Sequence, residues 1–357
     1  MRLIKNDPRV ECLRALYREH NKTSLVINRA CNIGWLLGGR SQIGIAGDGG
    51  VCTVVVNDES VVVVTNNIEG ERLTAEEFGS VPEITVVPWY DGPAYRQAVD
   101  TAAGASPLRD TECESEMLPI RTVLLPQQQE EAREIASLAS AAITAAAKRV
   151  QPQMTEFQIS GILADEAMSR GLIPNVLFTP ADRRIKMWRH ALSTDNKLEK
   201  IVMLSMGSQR NGMYCSITRF VSFGKPDEET LRSQDIACRA AAYLYSATRP
   251  GKSYHELYKD LYEAYIRAGA PEQIERHHQG GLGGFQTREV RIDASSTGTV
   301  MAGQLYAWNP SAPGFKSEDM LLVGEDQNEL LTDTPEFEYK EYACDGKVWR
   351  LPQILVI

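Results

Sequence analysis

Two short stretches decide the fold: PQMTEFQ at residues 152–158 and PGKSYHE at residues 250–256. In each, a Thr or Ser stands three positions before a Gln or Glu, which is the capping box that begins a helix. Long helices are predicted before them, at 127–150 and 227–248, and each following helix is expected to end at a glycine, Gly171 or Gly269. The prolines, caps and glycines are all separated by the same 98 positions, so we predict a duplicated helix–turn–helix unit followed by strands.

The first third of the chain has a different pattern. A helix is predicted at 9–20, and segments rich in β-branched residues predict strands at 24–28, 51–56, 60–65 and 83–88. The turn NDES (57–60) is expected to join the middle two as a hairpin, and the weakly patterned residues 104–119 are interpreted as a linker. We therefore predict two α/β domains, 1–119 and 120–357, with a functional cleft in the duplicated one.

Composition excludes several classes of protein. The 357 residues are 43% hydrophobic and 24% charged, which is typical of a globular chain, and the net charge of −9 argues against a nucleic-acid or anionic-membrane partner. The seven cysteines include no CxxC pair and predict reduced thiols. The N-terminus lacks the apolar stretch of a signal peptide, and no run is long enough to span a bilayer. A cytoplasmic protein is expected.

The stretch RHHQGGLGGFQTRE (276–289) is the clearest candidate for a site. Two adjacent histidines precede four glycines, which is compatible with a metal site, the remnant of one, or a tight turn. The glycines do not form a dinucleotide-binding fingerprint, because they do not open a helix and no acidic partner follows at the required distance.

Several stretches resemble one family over nearly the whole chain. CNIGWLLGGR (31–40), the segment 189–224, the histidine loop, and AGQLYAWNP (302–310) with KSEDMLLV (316–323) are similar to motifs of the creatinase, Xaa-Pro peptidase and methionine aminopeptidase superfamily. The resemblance implies a creatinase-type N-terminal α/β domain followed by a "pita-bread" domain, which is itself an internally duplicated α/β unit. It also implies a homodimer, in which the segment Trp35 to Arg40 would approach the partner's cleft.

The resemblance also implies a dinuclear metal centre, but most of its ligands are replaced. By position, the family's two Asp fall on Ser205 and Ser216, its His on Gly281, and its two Glu on Asn309 and Glu318. Hydroxyl and amide oxygens are weak ligands for divalent ions and glycine offers none. With four of five ligands lost, we expect no metal and no other cofactor.

The surviving polar residues are interpreted through the resemblance. His190 matches a substrate-contacting histidine that is the general acid/base in metal-free creatinase, and Glu318 a carboxylate that binds substrate or orients water. Their alternatives are a structural histidine and an ion pair with Arg288. The candidate substrate-binding residues are His277, Arg288, Ser216, Asn309 and Arg40. His278 has no assigned family role.

Three functions stay open. The first is metal-independent hydrolysis of a small C–N-bonded substrate, an amidine, amide or dipeptide, by His190 and Glu318. The second is an inactive pseudopeptidase that binds a peptide or protein, which a pocket plugged by Met206, Tyr306 or Trp308 would favour. The third is a metal-dependent Xaa-Pro dipeptidase or aminopeptidase.

Overall fold

The computed structural model describes residues 2–44, 47–80 and 82–357. It divides into two compact units, one formed by the chain up to Val123 with Asn211–Met213, the other by Leu124–Arg210 with Tyr214–Ile357. The mixed α/β class predicted from the sequence is confirmed. Within the part of the chain that the structure describes, no helix combines the length and apolar character needed to cross a membrane.

The first unit is built on one mixed sheet. Its elements in chain order are α1 (Pro8–Glu19), β1 (Ser24–Arg29), α2 (Ala30–Leu37), β2 (Gly49–Asn57), β3 (Val61–Asn66), α3 (Gly70–Arg72) continued by a π-helix (Leu73–Phe78), β4 (Glu83–Val87), α4 (Gly92–Ala103), β5 (Pro107–Arg109) and α5 (Glu114–Thr122). The strand order is β4-β3-β2-β1-β5. β1, β2 and β3 are antiparallel neighbours, whereas β4 and β5 add in parallel at the two edges.

The predicted hairpin is confirmed in β2 and β3. The side-chain oxygen of Asn57 accepts the N–H groups of Glu59 and Ser60, at 3.0 and 2.8 Å, which fixes the turn between the strands. The valines of both strands are buried except Val51, which is half-buried, and this is why the segments are apolar without alternation.

The predicted linker at 104–119 is wrong. Leu108 lies in β5, which pairs in parallel with β1. Cys113, the N-cap residue of α5, and Met117 within that helix are buried. A strand of three residues gives too short a pattern to recognise, and Pro119 inside α5 argues against a helix on sequence grounds.

The second unit carries the duplicated helices, two larger sheets and two sheets of two strands each. Its elements in chain order are α6 (Pro126–Arg149), α7 (Glu156–Met168), β6 (Ile173–Phe178), α8 (Arg183–Met187), β7 (Ile201–Arg210), β8 (Met213–Ser222), α9 (Glu228–Ala247), α10 (Tyr254–Arg267), a 3-10 helix (Pro271–Arg276), β9 (Gly280–Gly283), β10 (Val290–Arg291), β11 (Leu305–Trp308), β12 (Ser311–Ala312), β13 (Phe315–Lys316), β14 (Asp319–Leu322), β15 (Glu329–Leu330), β16 (Tyr339–Cys344), β17 (Lys347–Pro352) and β18 (Leu355–Val356).

The two helix hairpins form as predicted. Thr155 and Ser253 each accept the backbone N–H three residues on, both at 3.2 Å, and each capping box is closed by the reciprocal bond. Gly171 and Gly269 follow the second helices with φ of 76° and 77°, a conformation that favours glycine. α6 packs on α7 and α9 on α10. Strands follow each pair, so the duplication read from the common offset is present in the fold.

A backbone bridge joins the two larger sheets of this unit. One sheet has the order β18-β8-β7-β6 and the other β10-β9-β11-β14-β15. Thr218 in β8 pairs in antiparallel fashion with Glu318, which precedes β14, and its N–H donates to the Glu318 carbonyl over 3.2 Å. The side chains of these residues therefore stand at the junction of the sheets.

A buried ion pair lies beside this junction. Arg219 donates to the Asp319 carboxylate at 2.8 Å and to the Thr332 carbonyl at 2.7 Å, and the two charged side chains are 2% and 3% exposed. Burial raises the pKa of Asp319, since its charged form has lost water. The pairing keeps this cost from destabilising the unit.

Arg219→Met is expected to lower the free energy of unfolding by about 3–5 kcal/mol, because it leaves the buried Asp319 carboxyl without its cation. Urea denaturation at pH 7 measures the change. The matched control is Arg239→Met, whose helical pair with Asp235 is surface-exposed and worth at most about 1 kcal/mol. Equal losses in the two variants would contradict the assignment.

Candidate functional site

A cavity of about 190 Å³ opens in the second unit beside the junction of its sheets. Apolar and imidazole side chains form one part of its lining, called here the histidine wall: Val176 and Phe178 of β6, His190 and His278. Charged, hydroxyl and amide side chains form the other part, called the polar wall: Ser205, Ser216, Arg288, Asn309, Lys316 and Glu318. Six of the predicted second-unit site residues and metal-ligand positions therefore line one cavity, together with His278, which had no assigned role: His190, Ser205, Ser216, Arg288, Asn309 and Glu318.

Glu318 is the centre of the polar wall. Lys316 Nζ donates to Glu318 Oε2 at 2.8 Å, and Arg288 Nη2 donates to Oε1 at 3.2 Å. The Thr218 hydroxyl lies 2.6 Å from Oε2. Burial alone would raise the pKa of Glu318, but the charges of Lys316 and Arg288 outweigh it and lower the pKa to about 2. Both oxygens of Glu318 are thus occupied, and its contact with Arg288 is the ion pair given above as the alternative interpretation of this residue.

The serines of the polar wall act as hydrogen-bond partners. Ser205 Oγ accepts from Lys316 Nζ at 2.7 Å and lies 2.9 Å from the Thr218 hydroxyl. Ser216 Oγ accepts from Arg288 Nη1 at 3.1 Å. Ser205 Oγ also donates to Glu318 Oε2 at 3.4 Å, but that carboxylate is paired with Lys316 and Arg288, and its low pKa makes it a poor base for activating a serine nucleophile.

Three imidazoles form a cluster at the other wall. His190 Nε2 and His277 Nε2 are 3.0 Å apart, so one of the rings donates a proton toward the other. Phe178 stacks on His190 with ring centres 5.1 Å apart, and His278 lies 4.5 Å from His277 by the same measure. His277, predicted as a substrate contact, is not among the described residues that line the cavity, and its contact with His190 allows it to orient that ring.

Burial is the main cause that keeps all three rings neutral. It lowers the pKa of His190, and it lowers the pKa of His277 to about 2 and of His278 to about 4. The positive charges of Lys316 and Arg288 act in the same direction. At neutral pH each ring therefore offers a lone pair, as a general base or as a ligand.

Arg40 lies in the first unit, outside this cavity wall. Its N–H and guanidinium both donate to Glu77, at 2.7 and 2.9 Å, while its side chain stays 58% exposed. Trp35 and the two leucines after it are buried in α2. The prediction that the segment Trp35 to Arg40 approaches a partner chain stays a prediction, and the side chain of Arg40 is the exposed part of that segment.

The residues at the family's ligand positions do not fit a pair of divalent ions. The one carboxylate is already held by an ammonium and a guanidinium, whose charges oppose a further cation. Gly281 has φ of 149°, and a Cβ there would lie 2.2 Å from the Val290 carbonyl oxygen, so the backbone leaves no place for a histidine. Ser205, Ser216 and Asn309 supply only weak neutral donors.

A different group could hold a single ion. Among the described residues, His190, His277 and His278 bring three ligand atoms within 4.8 Å of one another. Neutral imidazoles suit zinc, copper or nickel. The neighbouring charges of Lys316 and Arg288, which disfavour protonation of these rings, also disfavour a metal cation.

Sequence reasoning missed Lys316 and Phe178. Lys316 stands two residues before Glu318 in extended chain, where side chains point to the same side, and this spacing was the available signal. Phe178 ends a strand that carried no distinctive pattern, and its contact with His190 depends on the tertiary fold.

Comparisons with known proteins give a matching family model and several relatives. The model of metallopeptidase family M24 matches residues 130–325. An uncharacterized peptidase of Staphylococcus saprophyticus is 26% identical over 160 residues, which cover 43% of this chain and 42% of that protein. Another, of Staphylococcus haemolyticus, is 25% identical over 226 residues, covering 60% and 63%. The match spans less than two thirds of either relative.

A solved structure covers more of the chain. The prolidase from Pyrococcus horikoshii OT3 superposes with a TM-score of 0.76 at 16% identity, over 92% of this chain and 99% of that one. At this identity the likeness shows the fold alone. It confirms the prediction of a pita-bread fold and the resemblance on which that prediction rests.

His277 and His278 are expected to make the protein sensitive to mild acid. The unfolded chain protonates them near pH 6.5 while the folded chain keeps them neutral, so unfolding takes up protons and stability falls as pH drops from about 6.5 toward 4. The variant His277→Gln/His278→Gln should lose less stability between pH 7.5 and 5.0 than the wild type, by roughly 2 kcal/mol per histidine.

Urea denaturation at the two pH values measures this difference. His255→Gln, at an exposed position of α10, is the control and should behave as the wild type. An acid sensitivity unchanged in the double variant would show that these rings are not held neutral by the fold.

Proposed function

The chain belongs to metallopeptidase family M24, a family of peptide-bond hydrolases, and on that premise we propose that it hydrolyses a C–N bond without a metal ion. The substrate is a small amidine, amide or dipeptide-like molecule. The observation that carries the proposal is the position of His190: a neutral imidazole on the wall of a cavity of about 190 Å³, facing a cluster of charged and polar side chains.

His190 performs the proton transfers. As a neutral ring it takes the proton of an attacking water, and it then returns that proton to the leaving nitrogen. His277, 3.0 Å away through Nε2, orients the ring and shares the proton. Arg288 holds the anionic end of the substrate, and Ser216 and Asn309 offer hydrogen bonds to its polar atoms. Glu318 orders the two cations of the site.

Two features support an open pocket over a plugged one. Met206, Tyr306 and Trp308 are buried in the core, and the described residues that line the cavity include none of them. Asn309 Oδ1 and Arg288 Nε are buried without a hydrogen-bond partner, which is costly unless a ligand supplies one. These unpaired atoms also fit the competing function, in which the protein binds a small ligand without turnover.

His190→Ala is expected to lower turnover by roughly 10²- to 10⁴-fold, because a positioned general acid/base contributes about that factor. Folding should be preserved, since the ring is exposed on one side. Ser216→Ala, the control, should have a mild effect. Activity on a panel of amides, amidines and dipeptides is the measurement, with and without a chelator.

A chelator is expected to leave turnover unchanged. Turnover that survives His190→Ala but is lost in Ser216→Ala or with chelator would assign the reaction to a serine or to a metal-dependent dipeptidase. If no substrate is turned over and His190→Ala changes only ligand binding, the pseudopeptidase function replaces this one.

We also propose a cytoplasmic homodimer whose sites include Arg40 of the partner chain. Light scattering at micromolar concentration should give the mass of two chains. Mixing His190→Ala chains with Arg40→Ala chains should then restore roughly a quarter of the wild-type activity. About half of the dimers are mixed, and one of the two sites in each mixed dimer is complete. A monomer, or a mixture with no recovered activity, would contradict the shared site.

A further inference from the structure

The charges that line the cavity do not cancel. Among the described residues they are Arg288 and Lys316, which are positive, and Glu318, which is negative. The side chains of all three are 11% exposed or less. The pocket therefore carries one net positive charge in a setting where water screens it poorly.

The same two cations have donors to spare. Lys316 has three N–H donors and uses two, on Ser205 at 2.7 Å and Glu318 at 2.8 Å. Arg288 Nε is buried and has no hydrogen-bond partner. A buried donor without an acceptor has lost its hydrogen bond to water with nothing in return, which is unfavourable. A ligand with acceptor oxygens and one negative charge would satisfy both the donors and the charge.

We propose that Lys316 and Arg288 form a subsite for the carboxylate of a small monoanionic ligand, with Glu318 holding the two cations in place. The inference rests on the pocket of the proposed function and names its substrate class, but its test needs no turnover. A cationic ligand is disfavoured, because both oxygens of Glu318 are occupied. The apolar base formed by Val176 and Phe178 fits an aliphatic group on the rest of the ligand.

The role proposed for Glu318 predicts the opposite effect on ligand binding from the role that its family position implies. If it bound a substrate cation, Glu318→Gln would weaken binding. In a carboxylate subsite Glu318 competes with the ligand for the same two cations, so neutralising it raises the net charge of the pocket to two and strengthens binding. This reversal separates the two assignments of the residue.

The experiment is calorimetric titration of the full chain with N-acetylalanine and with N-acetylalaninamide, which differ only in the carboxylate. The acid is expected to bind, and the amide to bind roughly 10- to 100-fold more weakly, as loss of a charge-assisted hydrogen bond implies. Lys316→Met and Arg288→Met should each weaken binding of the acid by a similar factor. Glu318→Gln should strengthen binding of the acid. The His190→Ala chain is used if the probe is hydrolysed.

The controls separate binding from folding and from surface charge. Lys340→Met removes an exposed lysine, 53% accessible and paired with Asp235, and should leave binding unchanged. If Lys316→Met fails to fold because Glu318 loses one partner, Lys316→Met/Glu318→Gln removes both charges. That variant should bind the acid roughly 10- to 100-fold more weakly than Glu318→Gln alone.

Three results would overturn the inference: equal affinity for acid and amide, full affinity in the Lys316 variants, or stoichiometric Mn²⁺ binding by the wild type that Glu318→Gln abolishes. Failure here is distinct from failure of the proposed function. Binding of the acid without any turnover would keep the subsite and remove the hydrolase, whereas turnover of uncharged amides with no preference for the carboxylate would do the reverse.

Discussion

The Glu318 carboxylate between Lys316 and Arg288 is the interaction on which the functional pocket depends. Removing three charges from water costs far more than most single contacts return, and the arrangement holds only because each oxygen of Glu318 has its own cation. Its backbone carbonyl also accepts the N–H of Thr218, at the bridge between the two sheets of the second unit. The electrostatics of the site and the joining of the sheets therefore share one residue.

The excess positive charge reaches the histidine wall. Desolvation holds the imidazoles neutral, and the fields of Lys316 and Arg288 reinforce it. A neutral His190 is prepared to accept a proton, which an imidazolium is not. The same field opposes any cation, whether a proton or a metal ion. The base chemistry proposed for His190 and the proposed preference for anionic ligands thus follow from one charge distribution.

Local signals in the sequence predicted the second unit well. Caps, helix-ending glycines and their common offset are short-range rules, and the structure obeys them at Thr155, Ser253, Gly171 and Gly269. The failures involve partners distant in sequence. β5 is recognisable only beside β1, and Lys316 gains its role from Ser205, which no local pattern connects to it. The resemblance predicted which residues belong to the pocket, but it did not predict the hydrogen bonds and ion pairs between them.

The backbone also bears on how this pocket relates to the metal centres of the family. Side chains such as Ser205 and Asn309 could be replaced by carboxylates one at a time, but each new carboxylate would be attracted to Lys316 and Arg288 before it could bind a metal ion. Gly281 opposes a metal site more strongly. It pairs with Ala307 of β11 and Arg291 of β10, and its φ of 149° together with the nearby Val290 carbonyl excludes a side chain. A histidine there would require β9 and β10 to shift their pairing, so the pairing of the sheet, as well as the residues that face the cavity, favours the proposal of a site without the family's metal ions.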